Sequence, residues 1–359
     1  MKFTTDSDSI QTAIKTLSKL AAPSEGTITF RLAKGRAQLM SFSELSSCTV
    51  TVPGTVEGEG QFAIGLDSIR DATRGRKSVE LTYKNTMLNV KSGSYSAALA
   101  TTDVLEQDEG ARSKENIIEV TTEQAAWLRS AIADVAIRPM ALISSYMPVG
   151  IHLSAKGAFI SCFDRTRMSF IRDKTIKGDT SFIVPVETIQ AVLEAVGSSA
   201  FNMVVNESFV EVITETVWAR VSLPSLEENT IGLDAVMGKA KEVAKIEGDE
   251  VTLAKDSLVA YLDNSKAVAL KERGELRAKA EEGKLRLSIQ TQAGKIQASL
   301  PYENGTDFAF AIDYEHFDEL VRKSGSEVSL KVVGDAFIVG KTAKGATVLI
   351  AFNQDEGGE

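Results

Sequence analysis

Residues 78–103 read SVELTYKNTMLNVKSGSYSAALATTD, and the fold turns on what this stretch belongs to. Alternating apolar positions, broken at Lys84-Asn85-Thr86 and Ser92-Gly93-Ser94, predict three short strands: Val79–Tyr83, Met87–Lys91 and Tyr95–Thr101. A meander this short does not hold itself folded in water, so it needs a second layer. Reading upstream from Phe62 adds an apolar strand and a helix-length stretch, FAIGLDSIRDATRGRK. The same order returns from Phe182 (FIVPVETIQAVLEAVGSSAFNMVVNESFVEVITETVWARVSLPS) and from Phe310 (FAIDYEHFDELVRKSGSEVSLKVVGDAFIVGKTAKGATVLIAF). The apolar positions coincide: Phe62, Ile64, Leu66 and Ile69; Phe182, Val184, Val186 and Ile189; Phe310, Ile312, Tyr314 and Phe317. A repeat of this spacing is domain-sized, which implies similar domains rather than a solenoid.

The stretch before each copy has the same order. Residues 1–4 form a strand, and Asp6–Ala21 carries Ile10, Ala13, Ile14, Leu17 and Leu20 at helical spacing; strands follow at Thr27–Leu32, Ala37–Ser41 and Ser46–Val52. Further on, Ile117–Val120 is a strand and Thr122–Arg138 a helix, with Thr122, Glu123 and Gln124 marking its N-terminus. Near the end, Glu250–Leu253 is a strand and Asp256–Arg273 a helix. Each domain is thus a doubled strand–helix–three-strand unit. The expected class is α+β: three similar domains (1–116, 117–226 and 227–359, the last with a linker at 227–248), each with two helices packed on antiparallel sheets. The long connection Pro224–Gly248 contains LDAVMGKAKEVAKI, which has the pattern of a short amphipathic helix outside the repeat.

Composition bounds the function. A chain of 359 residues with 43% hydrophobic and 25% charged residues fits two or three globular domains. No apolar run is long enough to span a membrane, and MKFTTDSDSI has no apolar signal-peptide core. Two cysteines, Cys48 and Cys162, suggest a reducing compartment without a disulfide framework. A net charge of −9 argues against coating nucleic acid with the whole surface, but leaves room for a local basic stripe.

The start MKFT and the stretches FAIGLDSI, VELTYKNTMLNVKSGSYSAAL, SFIVPVETIQAVLEAV and GAFISCFDRTRMSF make the chain resemble the bacterial-type (β) DNA polymerase sliding clamps, as a divergent member, viral or otherwise distant. The resemblance implies a ring-forming clamp fold. In that family two subunits close head to tail into a six-domain ring around duplex DNA, with helices lining the hole and sheets outside. The implied role is that of a non-enzymatic processivity factor in the cytoplasm, or the host cytoplasm for a viral protein. Its partners would be double-stranded DNA, a DNA polymerase, a clamp loader and a second copy of itself, with no membrane, cofactor or metal.

A sliding ring needs cations that meet phosphates, because phosphate contacts carry no sequence information. The candidates are Lys15, Lys19, Arg70, Arg74, Lys77, Arg129, Arg138, Lys266, Lys271, Arg273, Arg322 and Lys323, which recur on the helices beside their apolar faces. Solvated helix faces would show the same charges. PVETIQAVLEAVG departs from the pattern, with Glu187 and Glu194 and no cation, so the expected grip on DNA is weak.

Matched to the family, the partner-peptide pocket falls on Met147, Phe163, Arg165, Met168, Val348 and Ile350, with Phe352 close by; plain core residues are the competing reading. The subunit interface falls on Ala97 and Leu99, facing Ala267, Val268 and Leu270 of the other copy.

Other signals are weak. GDAFIVGKT has five residues between its glycines, one too many for a phosphate loop, and reads as a strand pair with a glycine turn. GTVEGEG reads as an acidic turn. His152 and His316, the only histidines, have no ligand or triad spacing. The alternatives to a clamp are a non-ring, three-module protein-interaction scaffold and an enzyme with an unrecognised carboxylate site.

Overall fold

In the computed structural model of the chain, every residue is described except 21–25, 34, 44–45, 103, 105–116, 138–147, 165, 224–231, 272–273, 293, 303–306 and 353–359. Seven helices occur among the described residues: α1 Ser7–Leu20, α2 Leu66–Thr73, α3 Thr122–Val135, α4 Val186–Val196, α5 Leu233–Val243, α6 Lys255–Ala269 and α7 Tyr314–Lys323. Around all but α5 the order strand, helix, three strands recurs along the chain, as expected from the periodicity.

The chain divides into two compact units, Met1–Arg129 with Glu187–Glu228 and Ser130–Val186 with Asn229–Glu359. The first holds a five-stranded sheet in the order Thr55–Glu57, Lys2–Asp6, Ser78–Lys84, Met87–Ser92, Tyr95–Ala100. It also holds an eight-stranded sheet, Ile117–Val120, Phe201–Val205, Phe209–Ile213, Val217–Ser222, Ser46–Val52, Arg36–Phe42, Thr27–Ala33, Gly60–Gly65. The second unit repeats the plan. Its eight-stranded sheet runs Thr180–Pro185, Pro148–Ser154, Gly157–Phe163, Arg167–Asp173, Thr347–Ala351, Phe337–Lys341, Glu327–Val333, Asp249–Ala254. Its four-stranded sheet runs Gly294–Pro301, Lys284–Thr291, Glu275–Glu281, Phe308–Asp313.

The meander of the opening stretch is thus three antiparallel strands, and its first hairpin turns through Asn85 and Thr86, both at positive φ, the primed-turn geometry that matches strand twist. GTVEGEG contributes a short strand, Thr55–Glu57, pairing with Lys2–Thr4, where a turn alone was expected. GDAFIVGKT is a strand pair around Gly334, with φ of 49°.

Local chemistry sets the helix starts. The Asp6 carboxylate accepts from Ser9 N at 2.7 Å and caps α1; these bonds, from the Ser9 backbone first, hold its pKa below the usual carboxylate range. Thr121, one residue before the expected start, forms a capping box with Gln124: Gln124 Oε1 accepts from Thr121 N at 2.9 Å, and Thr121 Oγ1 accepts from Gln124 N at 3.3 Å. The Asp313 side chain accepts from Glu315 N at 2.8 Å at the start of α7. Each core lies between helices and sheets. Ile10, Ala13, Ile14 and Leu17 of α1 are buried, and Tyr314, Phe317, Leu320 and Val321 of α7 join Leu258 and Leu262 of α6 in one cluster.

Candidate nucleic-acid interface and partner surfaces

Burying one face of α1 leaves Lys15 and Lys19 on the other, four residues apart and exposed. α2 packs alongside, and Lys15, Lys19 and Arg70 line one open concavity of about 500 Å³ with Asp8, Gln11, Thr12 and Ser18. Not all of this charge is free. Arg70 pairs with Asp67 at 2.6 Å, and Lys19 pairs with Glu194 of α4. The acidic helix noted in the sequence therefore has one of its two carboxylates matched by a cation of α1. Lys15, Arg74 and Lys77 are exposed, with no ion pair among the described residues. Arg129 is half-buried on α3. Arg138 and Arg273 lie outside the described residues.

In the second unit Lys266 and Lys271 are exposed, but the cations ending α7 are engaged. Arg322 binds Asp318 at 2.8 Å and Asp263 of α6 at 2.6 Å. Lys323 Nζ donates to Asp134 O at 3.0 Å and to Ala136 O, and pairs with Glu319 at 3.0 Å. Glu319 in turn receives Arg167 Nη1 at 3.2 Å, and Arg167, 4% exposed, also binds Asp164 through Nε and Nη2, both at 2.8 Å. Burial works to raise the Asp164 pKa, but Arg167 and the backbone N–H groups of Thr166 and Arg167 hold it below the usual range. His316, buried beside this network, has its pKa pushed down by burial first and by Arg167 second. Sequence reading passed over Arg167 and Glu319, because nothing local marks a pair that forms 152 residues apart.

The partner-pocket candidates fall on two faces. Phe163 and Met168 sit directly opposite each other on neighbouring strands and belong to one apolar cluster with Phe159, Phe170 and Leu349. Val348 and Ile350 alternate with Leu349, so they point the other way and join the core under α6 and α7. Phe352 stacks on Phe310, with centroids 6.0 Å apart. Met147 and Arg165 lie outside the described residues. What the sequence reading missed here is the cover: Leu233, Val236, Ala240 and Val243 of α5 lie in the same cluster as Phe163 and Met168. The signal was present as an i, i+3, i+7, i+10 apolar spacing in the linker.

Two sheet edges carry the interface candidates. Tyr95–Ala100 is the last strand of the five-stranded sheet, with Ala97 and Leu99 half-buried on one side. Gly294–Pro301 is the edge of the four-stranded sheet, packed beside α6. At the end of α6, Ala267 is exposed, Val268 half-buried and Leu270 46% exposed. Both cysteines are buried and free, and burial pushes each thiol up to about 12.

No protein-family model and no curated protein sequence matches the chain. Solved structures do. The DNA polymerase sliding clamp of Bacillus subtilis superposes with a TM-score of 0.81 at 14% identity, over 99% of each chain. The DNA polymerase III beta subunit of Thermotoga maritima gives 0.81 at 16% identity, over 98% of this chain and 99% of that one. The Helicobacter pylori beta clamp bound to a DNA ligase peptide gives 0.78 at 15% identity, over 99% and 100%. The chain has the sliding-clamp fold. The superposition runs over 98–99% of this chain and 99–100% of those. The low identity explains why the sequence match rested on the order and spacing of elements rather than on any sharp motif.

Proposed function

We propose that this chain is a DNA sliding clamp, a non-catalytic processivity factor. Two copies close head to tail around duplex DNA, tether a DNA polymerase and other replication proteins, and are opened by a clamp loader. In this reading the chain is three modules, 1–116, 117–226 and 227–359, working in the cytoplasm, or in that of the host if its source is viral.

The observation that carries the reading is the rule by which the sheets join. Val217–Ser222, the last strand of the second sequence block, pairs antiparallel with Ser46–Val52, the third strand after α1. Thr347–Ala351, the last strand of the third block, pairs in the same way with Arg167–Asp173, the third strand after α3. Applied once more, the rule joins Tyr95–Ala100, last of the first block, to Gly294–Pro301, third after α6. Both strands lie at the edge of their sheets, each with one side open for a neighbour. A second copy supplies the missing neighbour at each end, and two chains of three modules then close on themselves. An open edge invites aggregation, and this pairing removes it. Ala97 and Leu99, with Ala267, Val268 and Leu270, are the side chains assigned to the seam.

The cations assigned to the channel are Lys15, Arg74, Lys77, Arg129, Lys266 and Lys271, with Lys19, Arg70, Arg322 and Lys323 as second contributors because they are already paired. Such groups meet phosphate without reading bases, so the ring slides. Partner proteins are assigned to the apolar surface around Phe163 and Met168; the ligase peptide on the Helicobacter pylori clamp supports a peptide-binding role.

Native mass and DNA topology test the reading together. The expected result is a dimer that stays on nicked circular DNA and leaves once the circle is cut. A monomer indifferent to topology overturns it.

A further inference from the structure

α5 has no counterpart in the strand–helix–three-strand repeat that accounts for the other six helices. Its four buried side chains, Leu233, Val236, Ala240 and Val243, are spaced i, i+3, i+7 and i+10 and form a single stripe. They rest on Phe159, Phe163, Met168, Phe170, Ile183 and Leu349, one side of the eight-stranded sheet of the second unit. The sheet is shaped for this occupant. Gly150 leaves room for Leu233: a Cβ built there would come within 2.5 Å of Leu233 Cδ1. Lys239 lies 5.6 Å from the Phe337 ring centroid, and Lys331 Nζ donates to Ile246 O at 3.2 Å just beyond the helix. The strand Gly157–Phe163 is consequently buried at every position rather than at alternate ones.

The helix itself is poorly equipped to stand alone. It has 11 residues, below the roughly 12–15 at which isolated helices become more than marginal. Gly232 at its N-cap offers no side-chain acceptor, and Gly238 sits mid-helix, where glycine is among the weakest helix formers. The surface beneath has the opposite character. It is built of strands, and its phenylalanines and methionine give the large, adaptable contact area that binding surfaces use. Exposed, it would be a contiguous apolar patch of the kind that marks an interaction site.

We propose that α5 is a displaceable strap. It occupies in cis a helix-binding surface centred on Phe163 and Met168, and a partner gains that surface by replacing α5 with an amphipathic helix of its own, apolar at i, i+3, i+7 and i+10. The identity of that partner as a replication protein rests on the clamp reading; the strap and its seat do not. The surface is therefore closed until a partner competes for it, and partner strength is set by the difference between two helices on one seat.

Three measurements test this on the full chain. In the native protein, amides of Val236–Val243 should exchange with solvent at least tenfold faster than those of Gly157–Phe163 beneath them. Equal protection would make α5 ordinary core and overturn the proposal, even if every variant failed to fold. A labelled synthetic peptide of residues 232–247 should bind at least tenfold more tightly to Val236→Asp, which unseats the strap from its own side and leaves the seat intact, than to the unmodified chain or to Gly150→Val, whose filled notch excludes Leu233 of the strap and of the peptide alike. Equal affinity in all three would overturn it. The DNA ligase peptide bound by the Helicobacter pylori clamp is the comparison probe: a Val236→Asp variant that takes it and refuses the 232–247 peptide would refute the helical occupant. Retention on circular DNA, measured alongside, reports on the clamp reading separately.

Discussion

The helix pairs α1–α2 and α6–α7 occupy matching places in the repeat, and both bear cations, yet they use them differently. On α1 and just beyond α2, Lys15, Arg74 and Lys77 stand in solvent without an ion pair among the described residues. At the end of α7, Arg322 ties to α6 through Asp263, and Lys323 turns inward to Glu319 and to the carbonyls of Asp134 and Ala136 at the C-terminal end of α3. A Lys or Arg at helical spacing therefore reports a position and not a role. What decides the role is whether a carboxylate or an orphan carbonyl lies within reach, and that is set by residues distant in sequence.

The difference can be broken most forcefully at Arg167. Replacing it with Met leaves the Asp164 carboxylate without its cation and Glu319 with Lys323 alone, and should cost about 3–5 kcal/mol in urea unfolding. A loss under about 1 kcal/mol would mean that the α7 side of the comparison is not a buried network. Lys323→Met comes next. It abandons Asp134 O and Ala136 O, and should lower stability by about 1–3 kcal/mol by the same measurement.

Acid should act on the same region. His316 has its pKa driven below the ordinary 6.5, so the unfolded chain binds the proton first and stability falls as the pH drops through and below that value. His316→Gln should flatten this decline, which cannot exceed about 1.4 kcal/mol per pH unit for one group. Asp164 contributes lower down: its depressed pKa gives a contribution complete above 3.8 and lost as the pH falls through the folded value.

The smallest stability effect belongs to the α1–α2 side. Lys15→Ala, Arg74→Ala and Lys77→Ala should each stay within about 0.5 kcal/mol of the parent. Together they should flatten the log–log salt dependence of DNA association by about 0.9 for each phosphate no longer neutralised. A fall in stability without a change in salt slope would reverse the comparison.

The candidate sites were legible to unequal degrees. The apolar stripe of 233–246 was visible as a helix, because helical periodicity is a local property. Its seat was not, since Phe159, Phe163, Met168 and Phe170 read equally well as core. CFDRTRM drew attention for Phe163 and Met168, while the residue with the heaviest structural duty was Arg167. Val348 and Ile350 matched the family by position, but strand alternation sends Leu349, between them, to the side shared with Phe163.

The sequence by itself determined the repeat, the α+β class, the six repeating helices and the meanders, because 3.6-residue and two-residue periodicities are written in neighbouring side chains. Tertiary structure alone decided which strands meet. Lys2–Asp6, which opens the first repeat, pairs with Ser78–Lys84 of the second; Gly60–Gly65, which opens the second, pairs with Thr27–Ala33 of the first. The backbone groups that form a ladder are the same at every residue, so no local pattern names a strand's neighbour. The choice falls to whichever arrangement buries the apolar faces of both sheets against the helices while leaving the fewest backbone groups unpaired.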